Sequence, residues 1–249
     1  MKISVITVTY NSAATLEETI LSVIGQKSVD LEYILIDGQS TDQTLVIANK
    51  YRDKITHLVS EKDKGLYDAL NKGIDLASGD VIAILHSDDF YTHPEVLSHY
   101  VKVFNDTPCD AVYADLYYVN QDHTDKIIRT WISGTYKRDA FLRGWMPPHP
   151  TFLAKKQVYD QFGKFDLTFT SAADYEWMLR VIHKHAIRLG YLPEVTVKMR
   201  VGGKSNQTMH NRVKANMEDR KAWEVNGLRP KWYTLYLKPL RKITQFFKR

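Results

Sequence analysis

Asp80-Val81-Ile82-Ala83-Ile84-Leu85-His86-Ser87-Asp88-Asp89 reads as a buried strand that runs into two adjacent carboxylates. Its unbroken apolar centre lacks the alternation of a half-solvated strand and matches one covered on both faces. Such strands belong to mainly parallel α/β sheets, whose ligands bind beyond the carboxyl ends of the strands. Asp88 and Asp89 are expected there. Two neighbouring carboxylates repel unless a cation sits between them and a ligand, so the stretch predicts a divalent metal holding a phosphorylated compound.

Working outward, apolar runs alternate with helical patterns through the first hundred residues, the signature of βαβ units. Residues 2–8 form strand one. Thr15-Leu16-Glu17-Glu18 has the form of a capping box and opens a helix with Leu16, Ile20, Val23 and Ile24 on one face. Residues 32–37 form strand two, and Ser40 to Gln43 start a helix with Leu45, Ile47, Ala48 and Tyr51. A strand over 55–59 and a helix over 66–77 lead into the opening stretch. After Pro94 comes a helix with Val96, Leu97, Tyr100, Val101 and Phe104; then 110–119 and 126–131 pair as an antiparallel hairpin around the polar turn 120–125. Pro147-Pro148-His149-Pro150 marks a rigid loop. Helices are expected over 155–162, 174–185 and 208–226, with a glycine-rich loop at 202–205. The fold class is α/β: a mainly parallel Rossmann-like sheet flanked by helices, with a small antiparallel hairpin and a C-terminal helical tail.

The chain has 249 residues, 44% apolar and 25% charged, enough for one sizeable core over residues 1–228 plus a tail at 229–249. Its single cysteine, Cys109, excludes an intrachain disulfide framework, suits a reducing compartment and is expected to pack. The apolar N-terminus is too short and too polar for a signal peptide, and no run approaches the ~20 apolar residues of a membrane span. Of the 34 Lys and Arg residues, seven lie in 229–249 without an acidic neighbour, which leaves residues 1–228 with 27 basic against 29 acidic residues, a net of about −2. A nucleic-acid partner would require a basic patch on the folded domain as well, so nucleic acid is not expected.

At the carboxyl ends of neighbouring strands, Asp37, Glu61, Asp88 and Asp89 can line one crevice that suits a nucleotide. Asp37 would accept from the base, Asp88 from the ribose hydroxyls, and Asp89 would hold the cation on the diphosphate. Each has a plainer reading beside it: Asp37-Gly38 is a good turn, Ser40 and Asp42 are ordinary caps, Asp88-Asp89 fits a turn, and 61–65 is a solvated loop. The sequence carries no P-loop, no Gly-x-Gly-x-x-Gly after strand one, no Gly-x-Ser-x-Gly and no zinc-type cysteine or histidine motif. His149 stands apart, because the prolines around it would hold it rigidly near any cleft.

Thr7-Val8-Thr9-Tyr10-Asn11, Ile36-Asp37-Gly38-Gln39-Ser40-Thr41-Asp42-Gln43-Thr44, the block from Glu61 to Gly73, and His86-Ser87-Asp88-Asp89 together resemble the family 2 glycosyltransferases of the GT-A fold. The likeness runs from residue 3 to about 205, and the block at 64–73 is similar to bacterial enzymes of O-antigen and other surface polysaccharides. It implies a nucleotide-sugar half over 1–105 and an acceptor half over 106–228. By the resemblance, Thr7, Thr9, Asn11 and Asp37 line the nucleotide pocket, Asp88 lies near the ribose, and Asp89 binds Mn²⁺ or Mg²⁺, with Ser87 where the family's first aspartate stands. Glu61, Tyr67, Asn71 and Lys72 would flank the donor. Asp174, where alanine precedes it instead of the family's glutamate, would be the base of an inverting single displacement; its plain reading is a helix N-cap, and Glu176 is a weaker rival. Trp145 and His149 would shape the acceptor site, and Gly202, Gly203, Lys204 and Ser205 a lid. The Gln-x-x-Arg-Trp motif of processive synthases is missing, so one sugar is expected per acceptor.

The tail from Pro230 mixes rings, aliphatics and cations, a composition suited to an anionic membrane surface. Pro239 is expected to break it in two, and docking on the domain is the alternative. Such a tail fits a polyprenyl-diphosphate-linked saccharide acceptor and a cytoplasmic, peripheral place on the inner membrane face. The rival reading is an inactive nucleotide-sugar-binding or scaffold protein, against which Asp89 and Asp174 argue. A nucleotidyltransferase would need a glycine- and cation-rich loop after strand one.

Overall fold

A computed structural model describes residues 1–202, 209–243 and 245. Four strands, β1 (Lys2–Thr9), β2 (Asp30–Asp37), β3 (His57–Ser60) and β4 (Val81–Ile84), alternate with α1 (Leu16–Ile24), α2 (Thr44–Lys50) and α3 (Leu66–Leu76). Next come β5 (Asp89–Tyr91), α4 (Val96–Asp106) and the hairpin β6 (Ala111–Val119) and β7 (Ile127–Trp131). The remainder is β8 (Leu153–Lys155), α5 (Lys156–Phe162), α6 (Ala173–Met178), β9 (Leu189–Arg200), α7 (Met209–Val225) and α8 (Thr234–Ile243).

These strands form one sheet in the order β3-β2-β1-β4-β8-β6-β9-β5, with β7 paired to β6. β1 to β4 are mutually parallel, as are β6 and β9, while β8, β5 and β7 run the other way. The chain steps outward from β1 to β3 and returns to β4 on the far side of β1, so a switch point opens between the carboxyl ends of β1 and β4. Strand alternation builds two cores. Ile6, Val8, Ile34, Ile36, Ile82 and Ile84 face α3, α5 and α6, whereas Ile3, Val5, Tyr33, Leu35, Val81 and Ala83 face α1 and α4.

The block at 64–73 now has a physical reading. Gly65 enters α3 at φ +123°, a backbone closed to other residues, and at Gly73 a Cβ would come within 2.5 Å of Ile6, so α3 lies directly on the sheet. Several expectations change. The opening strand ends at Ile84, and Asp89 begins a separate short strand on β9. β6 is more than a hairpin arm, because its whole length also pairs with β9. The helix expected over 174–185 is α6 followed by a π-helical turn at Leu179–Lys184, where the His185 N–H bonds the Arg180 carbonyl five residues back. α8 runs through Pro239 instead of breaking there. Cys109 is buried and free, in its expected packing role.

Candidate active site

The crevice between β1 and β4 is laced by short side chains. Thr15 stands at the N-cap of α1, but its side chain does not cap the helix: its Oγ1 donates to the Ser87 carbonyl at 2.8 Å, and Ser87 Oγ bonds Ser12 Oγ at 2.9 Å, so the start of α1 holds the loop of the two aspartates. From the other side, Arg200 donates to the Asp88 carbonyl at 2.6 Å, pairs with Glu18 and lies over the Phe90 ring. Arg200 carries no local sequence signal, and the capping-box pattern that marks Glu18 points to a different role from this ion pair.

β8 runs antiparallel to β4, which brings the turn before it, His149–Thr151, to the carboxyl end of β4. His149 there packs on His86, ring centroids 5.3 Å apart, and its Nδ1 lies 3.5 Å from Asp174 Oδ2. Tyr67, at the start of α3, donates its hydroxyl to Asp174 Oδ1 at 3.1 Å. Burial, with His149 adding to it, depresses His86 to about 4, and burial also lowers His149 against the pull of Asp174 and Asp88. Both imidazoles are therefore neutral near pH 7. Burial and the Asp174 charge raise the Tyr67 hydroxyl well above its usual value, so it stays a donor. Asp88, His86, His149, Tyr67 and Asp174 thus meet in one cluster.

Asp174 is not the N-cap of α6. Ala172 holds that position, and Glu218 of α7 accepts the Thr170, Ser171 and Ala172 N–H groups at 3.0, 2.8 and 2.9 Å. A carboxylate from elsewhere in the chain caps the helix and leaves Asp174 free for the cleft. Glu176 is committed to structure: it is buried, takes two hydrogen bonds from Arg180 and one from Asn226.

Asp89 differs sharply from its neighbour. It is fully buried, and among the described residues neither carboxylate oxygen has a hydrogen-bond partner. Burial foremost, then the Asp88 charge, push its carboxyl well above the usual range, with Arg200 opposing. An orphaned buried carboxylate beside a second one fits a divalent cation, since among the described residues Arg200 offsets its burial only in part.

The remaining predicted residues divide. Asp37 is buried at the end of β2 and accepts from Ser40 N–H, Ser40 Oγ and Ser60 Oγ, the turn role its sequence also allowed. Thr7 is enclosed against Tyr33, and Thr9 is nearly so. Asn11, exposed at φ 50°, accepts the Thr41 N–H at 2.9 Å. Glu61, just after β3, and Lys72, on α3, form a 2.8 Å ion pair, which raises the Lys72 ammonium. Asn71 spends its amide on both backbone groups of Phe165, tying the loop before α6 to α3. Trp145 is a core residue, its indole N–H on the Ser133 carbonyl and its ring among Tyr113, Tyr136 and Phe141. Gly203, Lys204 and Ser205 lie outside the described residues.

Residues 4–184 match the sequence model of glycosyl transferase family 2. The chain belongs to that family. A PGL/p-HBAD biosynthesis glycosyltransferase of Mycobacterium bovis is 28% identical over 208 residues, covering 82% of this chain and 78% of the relative. An uncharacterized glycosyltransferase of Mycobacterium tuberculosis is 31% identical over 180 residues, 72% of this chain and 68% of the other. Among solved structures, S. aureus TarS 1–349 in complex with UDP-GlcNAc superposes with TM-score 0.69 at 20% identity over 91% of this glycosyltransferase, which spans 65% of that chain. The mannosyltransferase PcManGT from Pyrobaculum calidifontis, in complex with GDP-Man and Mn²⁺, gives TM-score 0.68 at 19% identity, covering 95% and 68%. The sheet and its flanking helices are thus those of the GT-A glycosyltransferases.

Proposed function

We propose that this glycosyltransferase moves one sugar, with inversion, from a nucleotide-sugar, by preference a UDP-sugar, to a hydroxyl of a lipid-linked saccharide in surface polysaccharide assembly. The observation that carries the reading is Asp174, freed from capping and held by Tyr67 beside Asp88 at the sheet's switch point. Tyr67 occupies Oδ1, so Oδ2 receives the acceptor proton. As that proton leaves, the acceptor oxygen bonds the sugar C1 and the C1 bond to the diphosphate breaks, releasing the nucleoside diphosphate. Neutral His86 and His149 wall the cleft without adding positive charge that would compete for the base. Asp89, with Asp88 beside it, would hold a divalent cation, which when bound neutralises charge on the departing diphosphate. Asn11 and the 37–41 loop that Asp37 braces meet the base, and the Glu61–Lys72 pair flanks the donor.

Calorimetry with UDP, GDP and dTDP, each with Mn²⁺ and again with EDTA, tests the donor side. One nucleotide is expected to bind at micromolar Kd with metal and at least about tenfold more weakly without it. No binding of any nucleotide would sink the reading.

The C-terminal helix supports the membrane side. One face of α8 docks on the domain, with Lys238 paired to Asp219 at 2.7 Å over the Tyr175 ring and Thr234 donating to the Leu142 carbonyl. Trp232, Tyr236 and Leu240, four residues apart, are 84%, 68% and 53% exposed. Among the described residues no helix is long and apolar enough to cross a membrane, so this stripe is a surface contact. Replacing all three with serine is expected to cut co-sedimentation with anionic vesicles at least about tenfold, without loss of the fold. Unchanged sedimentation would refute the membrane role.

A further inference from the structure

A second cluster of ligand-bearing side chains lies at the opposite end of β5 from Asp89. After Tyr91 the chain stays on β9: the Thr92 N–H bonds the Thr196 carbonyl at 3.0 Å and Thr92 Oγ1 the Val195 carbonyl at 2.8 Å. That delivers His93 to Glu194, while the first turn of α4 brings His99 to the same carboxylate. Glu194 Oε1 meets His93 Nε2, and Glu194 Oε2 meets His99 Nδ1 at 2.8 Å. The backbone here is pinned, since Gln26 donates to the His93 carbonyl at 2.9 Å and the Lys27 N–H to the Pro94 carbonyl at 2.8 Å.

We propose that His93, His99 and Glu194 form a transition-metal site of the zinc type, separate from Asp88 and Asp89. One ligand atom from each residue lies within 4.8 Å of the others. Ligand atoms about 2.0–2.1 Å from a tetrahedral zinc ion stand about 3.3 Å apart, a contraction that three partly exposed side chains can make by small rotations. Two imidazoles and one carboxylate suit Zn²⁺, Co²⁺ or Ni²⁺ far better than the oxygen-seeking Mg²⁺ or Mn²⁺. The outer partner is also in place. His93 Nδ1 lies 3.3 Å from both Glu95 Oε2 and the Glu95 N–H; in the tautomer that offers Nε2 to a metal, Nδ1–H donates to that carboxylate, the usual companion of a histidine ligand. A fourth position stays open to water. A metal here ties β9 to the β5–α4 turn, and the same two-strand ladder ends where Asp89 pairs with Met199, one residue before Arg200, which holds the Asp88 carbonyl. The site is therefore a staple behind the aspartate loop.

The test uses the full chain, stripped with EDTA and desalted, then dialysed against Zn²⁺ for metal analysis and titrated with Co²⁺ for its ligand-field absorption. One equivalent of Zn²⁺ should remain on wild type and on Asp89→Asn alike, with Co²⁺ bands of a low-coordinate site. His93→Ala and His99→Ala should each abolish the bands and weaken Zn²⁺ binding at least about tenfold, and Glu95→Gln should weaken it about 10–100-fold. Circular dichroism and melting in EDTA show whether each variant is folded. Zinc binding that survives both histidine substitutions, or none in wild type, would reduce the cluster to ion pairing and overturn the proposal. Since Zn²⁺ is read directly, the result does not depend on glycosyl transfer.

Discussion

Asp174→Asn is expected to lower kcat by about 10²–10⁴-fold with little change in nucleotide affinity. The asparagine keeps an oxygen for the Tyr67 hydroxyl but cannot take the acceptor proton at the second position, so binding survives and chemistry does not. Folding should survive as well, because α6 is capped by Glu218 and nothing in that cap passes through Asp174. The checks are sugar transfer by single-turnover assay, nucleotide calorimetry and thermal unfolding on the same preparation. Wild-type turnover would move the base elsewhere. Glu176 cannot inherit the role, since Arg180 and Asn226 consume its oxygens inside the core, so His149 would be the next residue to test.

The first half of the fold was legible because its elements carry their own periodicity: β1, β2 and β4 as buried apolar runs, helices as i, i+3, i+4 stripes. The second half was not. β5 and β8 have three residues each and exist only because neighbours pair with them. β9, twelve residues long and paired along β6, contains Pro193, Glu194, Lys198 and Arg200, and its register slips where the proline falls, so no alternation survives to be read.

The site divides in the same way. Asp88, Asp89 and Asp174 announce themselves by residue type and position, yet their supports do not. Glu218 caps a helix start 46 to 48 residues away and Arg200 reaches Glu18 across 182. The resemblance puts Asn71 beside the donor and Trp145 at the acceptor site, but a motif match says nothing of where the polar atom is spent. Both give theirs to backbone, at Phe165 and Ser133.

Asp89→Asn is expected to move stability and activity in opposite directions. With its carboxyl raised well above the usual range, folded Asp89 holds a proton that the unfolded chain has released. Between the ordinary carboxylate value and the folded one, the native state binds more protons, so stability is lost as pH rises through that window. Above the ordinary carboxylate value, in chelator, the wild type therefore bears a cost on folding, as proton uptake within that window and as a buried charge above it. An amide carries no charge, so the variant in EDTA should be more stable by about 1–3 kcal/mol at pH 7, raising Tm by about 2–4 °C per kcal/mol. Near pH 3 the two should converge. Divalent cation should raise the melting point of the wild type and leave the variant unmoved. Activity should fall about 10²–10³-fold, the several kcal/mol a cation gives to charge on a leaving group. Melting curves across pH with EDTA and with Mn²⁺, beside transfer assays, decide it. A variant less stable than wild type in EDTA would mean that Arg200 fully pairs Asp89 in the fold, and the carboxylate would then be a structural anchor of β5 instead of a metal ligand.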